Sequence, residues 1–213
     1  KVLTGVARLT KDGQSVSGDT FSMINLPSGE LLMALSDGMG SGTSAFDDSK
    51  NVIELLEQMS EAGFSQTSAI RLINSLYMSD QEFENYATLD ISLINLYKGE
   101  CSFLKNGAVG TYVLNQGKMY CIEGQSLPMG VVSDAEPYIG KMSLYPGDYV
   151  IMMTDGVADM FSQERYNLEK FIKQIEIVNP GDMAQAIVDE AVSRNKGAVS
   201  DDMSVIVAGV WEN

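Results

Sequence analysis

Leu35-Ser36-Asp37-Gly38-Met39-Gly40-Ser41-Gly42 is the stretch on which the reading of the chain turns. The apolar run Leu31 to Leu35 leads into it and reads as a buried strand. That strand delivers one carboxylate, Asp37, onto a turn with glycine at 38, 40 and 42, and a helix-like pattern follows from about Thr43. Glycine lets backbone approach a ligand or a neighbouring segment closely. A carboxylate at the end of a rigid strand, beside an accessible carbonyl, suits a hard cation. Taken alone, the pattern is also an ordinary strand-turn-helix. Ile151-Met152-Met153-Thr154-Asp155-Gly156 repeats the device, and Ser200-Asp201-Asp202-Met203-Ser204 opens the last apolar run with a third acidic stop.

Working outward, the 213 residues suffice for one domain with a full core, and no linker or low-complexity stretch divides 1–213. No apolar run approaches the roughly 18 residues of a transmembrane helix. Position 1 is Lys with no signal-peptide pattern after it, so the expectation is a domain cut from a longer chain. The net charge of -15 argues against nucleic acid and anionic membrane surfaces as partners, because phosphates would repel it. Cys101 and Cys121 lie in strand-like stretches without metal-ligand spacing and read as free, structural thiols. Histidine is absent. That removes Ser-His-Asp and Cys-His catalysis and His-based zinc sites, and leaves acid-base work to carboxylates or metal-activated water.

Strands are predicted over 2–9 and 19–26, with Pro27-Ser28-Gly29 as a hairpin turn into the Asp37 strand. Apolar residues at helical spacing predict helices over 43–59, stopping at Gly63, and over 67–78. Residues 88–97, 101–105, 111–114 and 119–122 read as an antiparallel meander, since its turns are too short for crossovers. Ser126 to Val132 reads as an irregular loop, and 138–144 and 148–154 as a hairpin about Tyr145-Pro146-Gly147. Helices over 167–175 and 182–194 precede a last strand over 203–210. The sum is an α+β chain: a four-layer αββα sandwich, two antiparallel sheets face to face, each covered by a helix pair.

Each aspartate singly is unremarkable, for an Asp-Gly after a strand is more often a plain turn. Together they carry more. Asp19, in Ser17-Gly18-Asp19-Thr20, opens the strand adjacent to that of Asp37, and Asp155 and Asp201 stand at two further strand ends. Four gathered carboxylates would not stay ionised together without cations between them. No basic cluster is at hand in the sequence, and oxygen-only donors favour Mg²⁺ or Mn²⁺ over zinc, as a pair bridged by one carboxylate.

These residues, in this order, resemble the motifs of the metal-dependent protein phosphatases of the 2C-like (PPM) family. Ser-Gly-Asp, Ser-Asp-Gly-Met-Gly-Ser-Gly, Pro-Gly-Asp-Tyr-Val-Ile-Met-Met-Thr-Asp-Gly and Asp-Asp-Met-Ser-Val carry the likeness, which runs from about residue 4 to residue 210. It is strongest to the bacterial branch typified by stage II sporulation protein E. The resemblance implies the same sandwich fold and hydrolysis of phosphoserine or phosphothreonine with two Mn²⁺ or Mg²⁺ ions and no covalent intermediate. It implies Asp37 as bridging ligand, Gly38 through its carbonyl, Asp155 and Asp201 around one ion, and Asp19 directly or through water. Asp37, Asp155 and Asp201 are the catalytic candidates, and no organic cofactor is expected. Asp202 is expected behind the ligands. The implied partner is a phosphorylated protein, of the anti-sigma-factor-antagonist type in sporulation control. The implied setting is cytoplasmic, with any membrane tether in segments outside this stretch, and a homodimer is allowed. Many members carry an arginine just before the first acidic motif; here the stretch is Asp12-Gly13-Gln14-Ser15, and Arg8 is the nearby candidate.

Asp90, in Thr88-Leu89-Asp90, has apolar neighbours and reads as structural, as does Asp148 after Pro146-Gly147. The thirteen methionines are mostly core filler, with Met39 placed at the site entrance. The helices over 43–78 lie behind Asp37 in sequence and are expected to regulate it, so that Leu55 or Ile73 would influence metal affinity without touching a ligand. Two other readings compete: a partner-binding module of the same fold without catalysis, and a hydrolase of small phosphorylated molecules. Degenerate modules lose ligands, and all four aspartates are present here.

Overall fold

The computed structural model describes residues 1–79, 86–132, 136–161, 165–175 and 178–212. Its strands form two antiparallel five-stranded sheets, in two compact units. One unit holds residues 16–108 and 122–143 and its sheet runs β2-β3-β4-β5-β8: Asp19–Asn25, Glu30–Asp37, Leu89–Asn95, Glu100–Asn106 and Tyr138–Ser143. The other holds 1–15, 109–121 and 144–213, with the order β1-β10-β9-β6-β7: Val2–Leu9, Met203–Val210, Tyr149–Met153, Thr111–Asn115 and Lys118–Ile122.

In the first unit the helices α1 (Thr43–Glu61) and α2 (Gln66–Ser79) cover one sheet face. Val52, Ile53 and Leu56 of α1, and Ile70 and Ile73 of α2, are buried against Leu32, Ala34, Ile91 and Leu104. These are the i, i+3, i+4 positions that give a helix one apolar stripe. The first helix ends in a Schellman turn, with Phe64 N–H on Met59 O and Gly63 N–H on Ser60 O. Every residue from Leu31 to Ser36 is buried, so β3 is covered on both faces and its end is a rigid place from which to present Asp37.

In the second unit α3 (Asp155–Phe161), α4 (Arg165–Gln174) and α5 (Pro180–Arg194) pack with β1, β9 and β10 around a core that includes Ile151, Met153, Leu168, Ile187 and Val205. Asn179 caps α5 by accepting N–H bonds from Gly181 and Asp182, with Pro180 in the first turn.

The α+β class, with two antiparallel sheets each bearing helices, is as the sequence predicts. Three details differ. First, the meander is two hairpins in two sheets, because β5 leads out of one sheet and β6 belongs to the other. Gly107, instead of turning back, donates to Ser126 O, and a side chain there would strike Pro128. Second, β8 and β9 are not a hairpin: β8 pairs with β5, and β9 with β10 and β6. The intervening turn is claimed by Asp148, whose Oδ2 accepts from Tyr145 N–H at 2.7 Å, and by Val210 O, which accepts from Gly147 N–H at 2.8 Å. Third, Asp155-Gly156 opens a helix that makes five in all among the described residues, with Thr154 O accepting from the N–H groups of Val157 and Ala158. An acidic residue in a first helical turn suits the dipole there.

Candidate metal centre

Strand register builds one half of the acidic set. Asp19 and Asp37 are direct partners in the β2–β3 ladder. Side chains directly opposite in an antiparallel pair share a face, with Cβ atoms about 5 Å apart. Asp19 is 0 % exposed and Asp37 is half-buried at the strand end. Like charges so placed repel, and a cation between them removes the penalty.

Gly38 follows Asp37 with no room for a side chain: a Cβ would stand 1.9 Å from the carbonyl oxygen of Ala45 in the first turns of α1. Its N–H donates to Gly18 O at 3.3 Å, beside Asp19. Gly38 forms a bridge with Ala87, made by Thr88 N–H on Asp37 O at 2.9 Å and Met39 N–H on Tyr86 O at 2.8 Å. None of these bonds uses the Gly38 carbonyl.

The other half of the set lies in the second unit. Asp155, exposed, starts α3 at the end of β9, and Asp201 lies two residues before β10, which pairs with β9. Thr154 and Ser204 lock the strand ends together. Thr154 N–H donates to Ser204 O, and Ser204 N–H donates to the Thr154 hydroxyl, both at 3.0 Å. Gly156 is needed for this closeness, since a Cβ there would be 2.1 Å from Asp202 O and 3.2 Å from the Cβ of Asp201.

Asp201 Oδ1 accepts from Asp202 N–H at 3.0 Å and lies 3.5 Å from the Lys11 ammonium. Asp202, buried, accepts from Lys11 N–H at 2.9 Å through Oδ1, so it anchors the 10–14 turn. Asp12 completes that anchor by exchanging two 2.9 Å bonds with Val199.

The structure thus gathers Asp19, Asp37 and Gly38 as one group, and Asp155 and Asp201 as another. Within either unit, among the described residues, no three acidic side chains form a ready-made metal cage. The donors present are all hard oxygens, carboxylates with one glycine carbonyl, which fit Mg²⁺ or Mn²⁺ and not a soft metal. Two residues escaped the reading of the sequence. Lys11, not Arg8, has its cation at a candidate ligand; the Lys-Asp-Gly turn was its only signal. Thr88 holds Asp37, although its triplet drew attention only to Asp90.

Asp90 is structural, as expected: its Oδ2 lies 2.7 Å from the ammonium of Lys105, with both side chains buried. Asp148 likewise binds Asn115, Gln116 N–H and Tyr145 N–H, each at 2.7 Å.

The fold defines the class. A solved PP2C phosphatase domain of the cell fate determinant SpoIIE from Bacillus subtilis, with a fragment of its regulatory domain, superposes with a TM-score of 0.91 at 32 % identity. The match covers 100 % of this chain and 63 % of that one. The catalytic domain of the serine/threonine phosphatase PstP, solved with two manganese ions, shares the fold at a TM-score of 0.79 and 18 % identity, over 99 % of each chain. Residues 27–211 match the family model for stage II sporulation protein E (SpoIIE). The chain belongs to that family and has its PP2C-type serine/threonine phosphatase fold. The Priestia megaterium stage II sporulation protein E is 34 % identical over 99 % of this chain, which spans 36 % of that relative's length. Among the described residues no helix is long and apolar enough to cross a membrane.

Proposed function

We propose that residues 1–213 act as one phosphatase domain that hydrolyses phosphoserine on a partner protein, with two Mn²⁺ or Mg²⁺ ions as cofactors. Asp19, Asp37, the Gly38 carbonyl, Asp155 and Asp201 are the residues that would hold the ions. Bound there, such ions would supply the positive charge that acidifies water and offsets the charge of a phosphoryl group. The chain's own part is to hold these donors rigidly. The buried β3 fixes Asp37, the Gly38–Ala45 contact fixes the carbonyl's segment, and the Thr154–Ser204 bonds fix the strand ends behind Asp155 and Asp201. Lys11 sets a positive charge beside Asp201, where it can also attract an anionic substrate. With no histidine, proton transfer falls to carboxylates and water. Hydrolysis adds water across the phosphorus–oxygen bond; serine leaves with a proton and phosphate is released.

The observation that carries this reading is the β2–β3 register, which sets Asp19 directly opposite Asp37. Family membership and the manganese-bound structure of the same fold support it; a phosphorylated anti-sigma-factor antagonist is the partner that the resemblance of the motifs implies. The test is phosphate release from a phosphoserine protein with and without Mn²⁺, in wild type and Asp155→Asn. Mn²⁺-dependent release that falls at least a hundredfold in the variant is expected. Mn²⁺ binding without turnover, seen by calorimetry, would point to a missing activator or substrate. No Mn²⁺ binding at all would favour a partner-binding module.

A further inference from the structure

The β3–β4 ladder is interrupted between Leu35↔Asp90 and Gly38↔Ala87, and the bond that is replaced there belongs to Asp37. Register runs from Glu30↔Asn95 to Leu35↔Asp90, and the Gly38↔Ala87 bridge continues the same count, which makes Thr88 the partner of Asp37. The bonds on either side show that Asp37 and Thr88 should exchange two ladder bonds. Thr88 N–H does donate to Asp37 O, at 2.9 Å. The return bond is replaced: Asp37 N–H donates to the Thr88 hydroxyl at 3.0 Å, and Thr88 O accepts instead from the Ser36 hydroxyl at 2.7 Å. Two side-chain hydroxyls stand where one backbone bond would be. Ser36 is fully buried and Thr88 half-buried.

We infer that Thr88 is a positioning residue for Asp37. Its hydroxyl holds the Asp37 backbone off the regular ladder and so fixes where the carboxylate, and the Gly38 carbonyl after it, are presented. A plain ladder bond would draw Asp37 N–H to Thr88 O and rotate the peptide that carries the carboxylate. Thr88 itself is tied down on its far side, since Ala87 O accepts from Met129 N–H at 2.9 Å. Gly130 N–H in turn binds the buried Asn74 side chain of α2 at 2.8 Å. The hydroxyl is therefore offered from a fixed frame.

This inference rests on the metal-phosphatase reading only in taking Asp37 as a ligand. Thr88→Val keeps the shape and removes the hydroxyl; Thr88→Ser keeps the hydroxyl. Calorimetric titration of wild type with Mn²⁺, beside Asp37→Asn, first checks the reading itself: wild type that binds no Mn²⁺, or a variant that binds it equally well, overturns that reading and this inference with it. Given a ligand role for Asp37, Thr88→Val is expected to bind Mn²⁺ at least fivefold more weakly, with Thr88→Ser within twofold of wild type. Turnover of Thr88→Val should recover at high Mn²⁺, as a merely damaged fold would not. A second readout needs no metal: with its acceptor changed from a hydroxyl to a backbone carbonyl, the Asp37 amide should shift its proton resonance and change its solvent exchange at least threefold in Thr88→Val, and keep both in Thr88→Ser. Unchanged Mn²⁺ affinity and unchanged exchange in Thr88→Val overturn the inference.

Discussion

Lys105 carries its ammonium 2.7 Å from Asp90 Oδ2 in a place that water does not reach. Taking two charges out of water costs several kcal/mol each, so such a pair adds little net stability, yet either charge alone is very unfavourable. Asp90→Ala removes the carboxylate that faces the buried Lys105 ammonium and is expected to destabilise the fold by about 3–5 kcal/mol. The double variant Asp90→Val with Lys105→Met should recover most of that loss, because two apolar side chains close in volume to the pair need no partner. Urea unfolding of the three proteins checks both. A loss below about 1 kcal/mol for Asp90→Ala would mean that the pair is hydrated in solution. The same logic explains why Asp90 is not among the candidate ligands despite its buried carboxylate: its charge is already matched by Lys105.

The helix α1 is the element that bears most directly on the candidate site, for the carbonyl of Ala45 lies where a Cβ on Gly38 would be, at 1.9 Å. Gly38→Ala must therefore push the start of α1 away or bend the backbone at Asp37. The expected cost is about 1–3 kcal/mol of stability, with Mn²⁺ affinity weakened at least tenfold although no ligand charge is lost. Leu55→Ala loosens the same helix at a partly buried position of its core stripe and should shift affinity in the same sense by a smaller factor. Calorimetry with Mn²⁺ checks both, and unchanged affinity in a folded Gly38→Ala would separate the helix from the site. At this scale the sequence was readable where pattern is local. Periodicity located α1, α2, α5 and the strands to within a few residues, and the glycines and aspartates marked the ends of β3, β9 and the start of β10. The partners of β6 and β8 were not legible. A short turn suggests a hairpin, but the turn after β8 is bonded to Asp148 and to Val210, which lies some sixty residues further on, and no local pattern records that. Thr88 stayed hidden for the same reason, since its role depends on a bond to a residue 51 positions away.

Across the whole molecule the charge is -15 at pH 7, and each ionisation above neutrality adds to the self-repulsion of the folded state. Two buried groups make the alkaline limit sharper. Burial first, and the Asp90 carboxylate second, push the Cys101 thiol well above its ordinary value of 9.0. The Tyr77 phenol donates to Asp48 O at 2.6 Å and is pushed up from 10.0, again by burial first and then by the Asp48 carboxylate. In the unfolded chain both groups ionise near their ordinary values, whereas the folded chain keeps them protonated. As pH rises past 9 the unfolded state is the one that gives up protons, so stability present below that pH is lost progressively above it. For Cys101 the loss is about 1.4 kcal/mol per pH unit once its unfolded value is passed. Urea unfolding between pH 8 and 10.5 should show wild type falling steadily over the upper part of that range. Cys101→Ala begins lower, by the cost of the small cavity, and falls less steeply by about 1.4 kcal/mol per unit above pH 9, so the two curves converge. Parallel curves would mean that the thiol ionises as easily in the folded chain as in the unfolded one, and that the core around β5 admits water.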